Sequence, residues 1–158
     1  MAKHAIVERQ LVDSEWVGSK RVGIYFDKEM DNGGVVKLKG LKDGERNIYE
    51  IEDVAANTPL DDVYLVASPE VMADKRLKHS LDDFVNLKGT VGNADKLVKG
   101  NIYGLTAEAF DGTPKVGYTV ELQAGRKLKA VQTPTGASVT AIGKIIDFAR
   151  GYYGVQIG

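Results

Sequence analysis

The chain has 158 residues, of which 43% are hydrophobic and 27% charged, with a formal net charge of −1. These are the proportions of an ordinary globular chain long enough to bury a core, and they exclude wholesale disorder. The absence of cysteine removes disulfides, thiolate nucleophiles and sulfur-ligated zinc together.

Charge is spread unevenly. Residues 1–50 carry nine basic and nine acidic side chains, residues 51–100 six and nine, and residues 101–158 six and four. No segment has the clustered positive charge that neutralises many phosphates, so nucleic acid is not an expected partner. No window approaches the roughly eighteen apolar residues of a membrane span, and membrane is not expected either. The start, M-A-K-H-A-I-V-E-R-Q, lacks the apolar run of a signal peptide. The expectation is a chain made and kept in the cytoplasm, not secreted, that leaves the cell only by lysis.

In chain order, Ala5-Ile6-Val7 and Leu11-Val12 suggest an opening strand, followed by Trp16 in a polar setting. Val22 to Phe26 reads as a strand, Asp31-Asn32-Gly33-Gly34 as a turn, and Val35 to Lys39 as its partner strand. Lys42-Asp43-Gly44 makes the next turn, and Asn47 to Ile51 and Val63 to Val66 add two short strands. Ser68-Pro69-Glu70 then supplies a cap, a first-turn proline and a first-turn acid, predicting a short helix over 69–78. Gly89 to Gly100 reads as loop, with Gly92-Asn93 at its centre.

From Gly100 the pattern becomes regular. Asn101-Ile102-Tyr103 opens a strand. Leu105 to Phe110 fits either helix or strand and is read as strand because its alternation matches its neighbours and Asp111-Gly112 follows as a turn. Gly117 to Gln123 alternates, with Tyr118, Val120 and Leu122 on one face and Thr119, Glu121 and Gln123 on the other. Ala124-Gly125-Arg126 turns it into Lys127 to Val131. Ala137 to Phe148 is a long apolar strand whose phase changes beside Gly143. That change fits a bulge or a strand buried on both faces. Arg150-Gly151 turns the chain again, and Tyr153, Val155 and Ile157 close it on alternate positions.

The predicted architecture is mainly β. An irregular portion of strands and one short helix occupies 1–100, and a small five-stranded barrel or sandwich occupies 101–158, with a boundary near Lys99-Gly100.

Few residues carry chemistry. Gly112 to Thr119 has the outer spacing of a phosphate loop, but Tyr118 stands where the lysine is needed and a strand follows instead of a helix. His79, Asp82 and Asp83 could share a helix face and hold a metal; Ser80 as helix cap with Asp83 as its partner is the favoured reading. Glu52-Asp53 and Asp61-Asp62 are carboxylate pairs of the kind glycosidases use, read here as solvated surface. No catalytic residue, cofactor site or metal site is assigned. Trp16, the sole tryptophan, either caps the core or anchors a partner together with Lys20 and Arg21.

Two segments then stand out together: P-E-V-M-A-D-K-R-L-K-H-S-L-D-D-F from Pro69, and K-G-N-I-Y-G-L-T-A-E-A-F-D-G from Lys99. They are followed by V-G-Y-T-V-E-L, R-K-L-K-A-V and I-G-K-I-I-D. This order resembles small head-associated structural proteins of tailed bacteriophages, of the capsid decoration (cement) type, over about Val63 to Ile157. The resemblance implies a non-enzymatic virion protein bound in many copies to the capsid exterior. Its partners would be the major capsid protein and other copies of itself. Separately from the resemblance, Trp16 beside Lys20 and Arg21, in a stretch without the regular pattern of a self-contained core, points to 1–100 as the capsid-facing portion. A tail, head–tail connector or shell component is the alternative within the virion. A hydrolase using carboxylates near His79 is the alternative of another class.

Overall fold

The computed structural model describes residues 4–12, 20–70 and 83–158, and just under half of them lie in strands. The first strand is β1 (Val7–Leu11). Then come β2 (Arg21–Tyr25), β3 (Val35–Leu41), β4 (Ile48–Glu52), β5 (Val63–Val66) and β6 (Val91–Lys96). The C-terminal part holds β7 (Ile102–Leu105), β8 (Phe110–Asp111), β9 (Thr119–Glu121), β10 (Leu128–Val131), β11 (Ala141–Ala149) and β12 (Tyr152–Ile157). Strands β2 to β6 close into a barrel in the order β2-β4-β3-β5-β6, and the others form a sheet in the order β1-β7-β12-β11-β9-β10-β8.

The mainly β expectation therefore describes the molecule, but the five-stranded barrel lies over 21–96, not over 101–158. The C-terminal strands instead build an open sheet, completed by β1 from the N-terminus. Within the predicted helix, Pro69 and Glu70 are irregular, and 71–78 lie outside the described residues.

Strand β5 explains how the two sheets become one body. Its sequence V-Y-L-V is apolar without interruption, and every residue is buried. Tyr64 and Val66 join Val22, Ile24, Phe26, Val36 and Ala94 inside the barrel. Val63 and Leu65 point the other way, into a core shared with Tyr103, Leu105, Val120, Ile142 and Val155 of the open sheet. An unbroken apolar run is what a strand covered on both faces requires. The boundary drawn near Lys99-Gly100 thus runs beside a core to which both portions contribute.

Asn32-Gly33 turns the chain between β2 and β3 as predicted, but the two strands do not pair. Strand β2 pairs parallel with β4 and antiparallel with β6, while β3 lies between β4 and β5. The turn is tucked into the barrel's end instead. Gly33 has φ 84° and donates its N–H to the Val66 carbonyl at 2.8 Å. Buried Asn32 donates through Nδ2 to the Ser68 carbonyl, and its Oδ1 accepts from Ser68 N and Asn86 Nδ2. Such a network pairs every buried polar group that the loop brings inside.

Three further corrections have local causes. The stretch read as loop around Gly92-Asn93 contains β6, an integral barrel strand. Gly92 is there because a Cβ would collide with the Ser68 hydroxyl and the Phe26 ring, so the absent side chain reflects packing. Leu105 to Phe110 is not one strand: β7 ends at Leu105, and a 3-10 turn over Ala107–Ala109 leads into β8. Strand β9 is also buried on both faces, not one, because the Glu121 carboxylate accepts from Thr135 N and Oγ1 at 2.7 and 2.6 Å.

Of the two readings at Gly143, the bulge is the one observed. The register with β9 slips between Ala141 and Gly143, and the register with β12 slips between Ile145 and Asp147. Arg150 (φ 55°) and Gly151 (φ 86°) then make the tight turn that reverses the chain.

Candidate functional site

The residues singled out in the sequence are dispersed. Trp16 lies outside the described residues, as do His79, Ser80 and Asp82. Lys20 is exposed and holds its Nζ 5.9 Å from the centre of the Tyr49 ring. Arg21 is turned inward: Nη2 donates to the Ala67 carbonyl at 2.7 Å, and Nη1 lies 3.5 Å from Asp95. The carboxylate pairs separate in the same way. Glu52 meets Lys37, and Asp61 and Asp62 are exposed in a 3-10 turn over Leu60–Asp62. Gly112 to Tyr118 is a loop leading into β9, with positive φ at Gly112 and Gly117. Among the described residues, no group of three or more His, Asp or Glu side chains is arranged to hold a metal.

Asp53 has a role of its own. The Arg126 side chain, only 9% exposed, donates from Nε to Asp53 at 2.6 Å, and from Nη1 and Nη2 to the two oxygens of Asp27. Lys28 adds a second cation to Asp53 at 3.3 Å. Arg126 sits in the β9–β10 turn, and Asp27 and Asp53 follow barrel strands, so this fork ties the open sheet to the barrel. Hydrogen bonds from Arg126 hold both carboxyls below their ordinary range. Two backbone links reinforce it: Val35 N to the Arg126 carbonyl, and a bridge between Val54 and Gly125.

A second charged group lies deeper. Asp95 of β6 is buried, with Arg9 Nε 2.8 Å from one oxygen and Arg21 Nη1 3.5 Å from the other. Burial raises its proton affinity despite those cations, and burial pushes the neighbouring Tyr103 hydroxyl up to about 12.

The β11–β12 hairpin continues past the strand that flanks it. Strand β9 follows β11 only as far as Thr119 opposite Lys144, after which Gly117 N bonds the Ile145 carbonyl. Beyond that point β11 keeps β12 as its neighbour, and among the described residues no strand pairs its other edge over 146–149. Phe148 is 53% exposed and stacks at 4.5 Å on Tyr153, which in turn meets Phe110 edge to face. Ile146 and Val116 are also exposed, and the Gly117–Ile145 hydrogen bond brings Val116 beside the arm. Exposed large apolar side chains in and beside an open strand edge make this region suited to protein contact. The sequence puts Ile146 and Phe148 in one phase of a long apolar strand, with a bulge or burial on both faces left open. The flanking Asp147 and Arg150-Gly151 are the signal that this end reaches solvent.

Comparison with protein families, with curated proteins and with solved structures finds no match to this chain.

Proposed function

We propose that this protein is a non-enzymatic virion structural protein, a decoration (cement) protein on the outside of a tailed-bacteriophage head. Its partners are the major capsid protein and neighbouring copies of itself. The resemblance over Val63 to Ile157 supplies the class. The structural observation that supports a contact role is the hairpin arm, with Ile146 and Phe148 exposed beside Val116.

Burying one large apolar side chain is worth about 1.5–3 kcal/mol. Repeated over a symmetric shell, such modest contacts add through avidity. The N-terminal portion is the proposed capsid side, anchored by Trp16 and the exposed Lys20, since Arg21 is engaged by Ala67 and Asp95; the arm is the proposed contact between copies.

The test adds purified protein to heads that lack it and measures bound protein after sedimentation. Ile146→Asp with Phe148→Asp is expected to lower occupancy while leaving the thermal melt unchanged. Trp16→Ala is expected to lower binding even at sparse coverage, where copies do not touch. Failure of the unmodified protein to cosediment with heads would refute the assignment. Imaging of labelled virions separates a head position from a tail or connector position.

A further inference from the structure

Strand β1 lies on the outer edge of the open sheet, and four of its five residues, Glu8 to Leu11, are exposed. Its flanks are secured by other means. Ala5 is buried in the shared core, Ile6 exchanges hydrogen bonds with Thr106, and Val12 packs against the same core. Between those anchors the pairing with β7 is interrupted by a register slip between Arg9 and Leu11. That is where Arg9 reaches over to Asp95 of the barrel.

The Asp95 side chain is 3% exposed. The charged and titratable groups that face it are Arg9 from β1, Arg21 from β2 and Tyr103 from β7, while β5 pairs Leu65 against it. Although Arg9 stands close, neither Asp95 oxygen receives a hydrogen bond of good geometry. An ionised carboxylate in this place has lost its water without gaining a full replacement. The neighbouring Arg9 and Tyr103 hydroxyl favour the ionised form as donors, but burial outweighs them and favours the neutral carboxyl.

We propose that β1 is a pH-dependent strap over Asp95, seated while that carboxyl is protonated and working loose at its middle once it ionises. Lifting Glu8 to Leu11 lets water reach Asp95 and frees Arg9, which is already 42% exposed, to follow the strand. The direction follows from linkage. Under the seated strap, burial raises the proton affinity of Asp95; once uncovered, the carboxyl returns towards the ordinary value of 3.8. The seated form therefore binds the proton more tightly. Its advantage is complete below that ordinary value and shrinks as pH rises through the raised one. A salt bridge that simply pinned β1 through Arg9 would give the opposite dependence.

Amide hydrogen exchange on the full chain reads this directly. Residues 7–11 are followed between about pH 4.5 and 8 after correction for intrinsic exchange, with β12 as internal reference. The expected result is that β1 opening relative to β12 increases with pH, by no more than about tenfold per unit because one proton is involved. Asp95→Asn, a neutral isostere, is expected to abolish that dependence and to leave β1 better protected than the wild type at the upper end. Protection of β1 that is flat with pH, or that increases with it, overturns the proposal. So does an Asp95→Asn protein with an unchanged circular dichroism spectrum whose β1 exchanges faster than wild type at neutral pH. If that variant does not fold, the wild-type profile alone decides the direction.

Discussion

Arg126 grips Asp27 through two parallel hydrogen bonds, Nη1 to Oδ1 at 2.7 Å and Nη2 to Oδ2 at 3.0 Å, across the junction between sheet and barrel. The fork geometry is one that only a guanidinium provides. Arg126→Met is expected to cost about 1–2 kcal/mol, a figure kept low because both carboxylate partners are half exposed and rehydrate when the arginine is gone. Arg126→Lys is expected to recover less than half of that loss. Urea denaturation with an unchanged slope checks both numbers.

The same fork sets an acid response. Hydrogen bonds from Arg126 lower both Asp27 and Asp53 from the ordinary 3.8, so the folded chain binds these protons more weakly than the unfolded chain. Their stabilisation is present above that ordinary value and is lost as pH falls through the lower folded values. The stability difference between wild type and Arg126→Met is therefore expected to narrow on acidification below about pH 4. A difference that stays constant to about pH 2.5 would mean that the two carboxylates contribute nothing through Arg126.

Two glycines of the hairpin are expected to respond differently to a methyl group. At Gly143 a Cβ would collide with the backbone carbonyl of Gln156, which the β11–β12 pairing holds in place. At Gly154 the nearest obstacle is the carboxylate end of Asp147, a side chain free to rotate away. Gly143→Ala is expected to destabilise by about 2–3 kcal/mol or prevent folding, and Gly154→Ala by less than about 1 kcal/mol. Thermal melts of the two variants side by side make the comparison.

A fragment of residues 101–158 is expected to lack a cooperative melt. It would lose β1 from the edge of β7, and with Val35, Val63 and Leu65 it would lose the wall opposite Tyr103, Leu105 and Val155. A chain of that length has little apolar surface to spare. Dispersed amide resonances from the isolated fragment would contradict this.

Much of the strand content was legible in the sequence, because alternation and turn chemistry are local. Val63 to Val66 matches β5 residue for residue, the Lys42-Asp43-Gly44 turn joins β3 to β4, and the phase change beside Gly143 is a real slip of register. Pairing is not local, and there the reading failed. Asn32-Gly33 carries a hairpin signal, but its side chain and N–H find partners in Ser68 and Val66 instead of a facing strand. Strand β6 was hidden because its sequence V-G-N-A-D-K answers to neighbours: Gly92 to the Phe26 ring, and Asp95 to Arg9 and Arg21. The arm escaped notice for a related reason. Ile146 and Phe148 have the chemistry of core residues, and their exposure depends on where β9 stops, which nothing in β11 itself records.

The pairing of Val7 with Leu105 also sets a timetable for the chain as it is synthesised. Strand β1 leaves the ribosome before the barrel strands, and its partner β7 follows only after all of them have emerged. Residues 21–96 can close on themselves during that interval, since every strand of the barrel lies within them. The opening strand must wait, unpaired, in the company of other nascent chains. Its Glu8-Arg9-Gln10 sequence suits that delay, because charged and polar side chains discourage stray strand pairing until the rightful edge is in place.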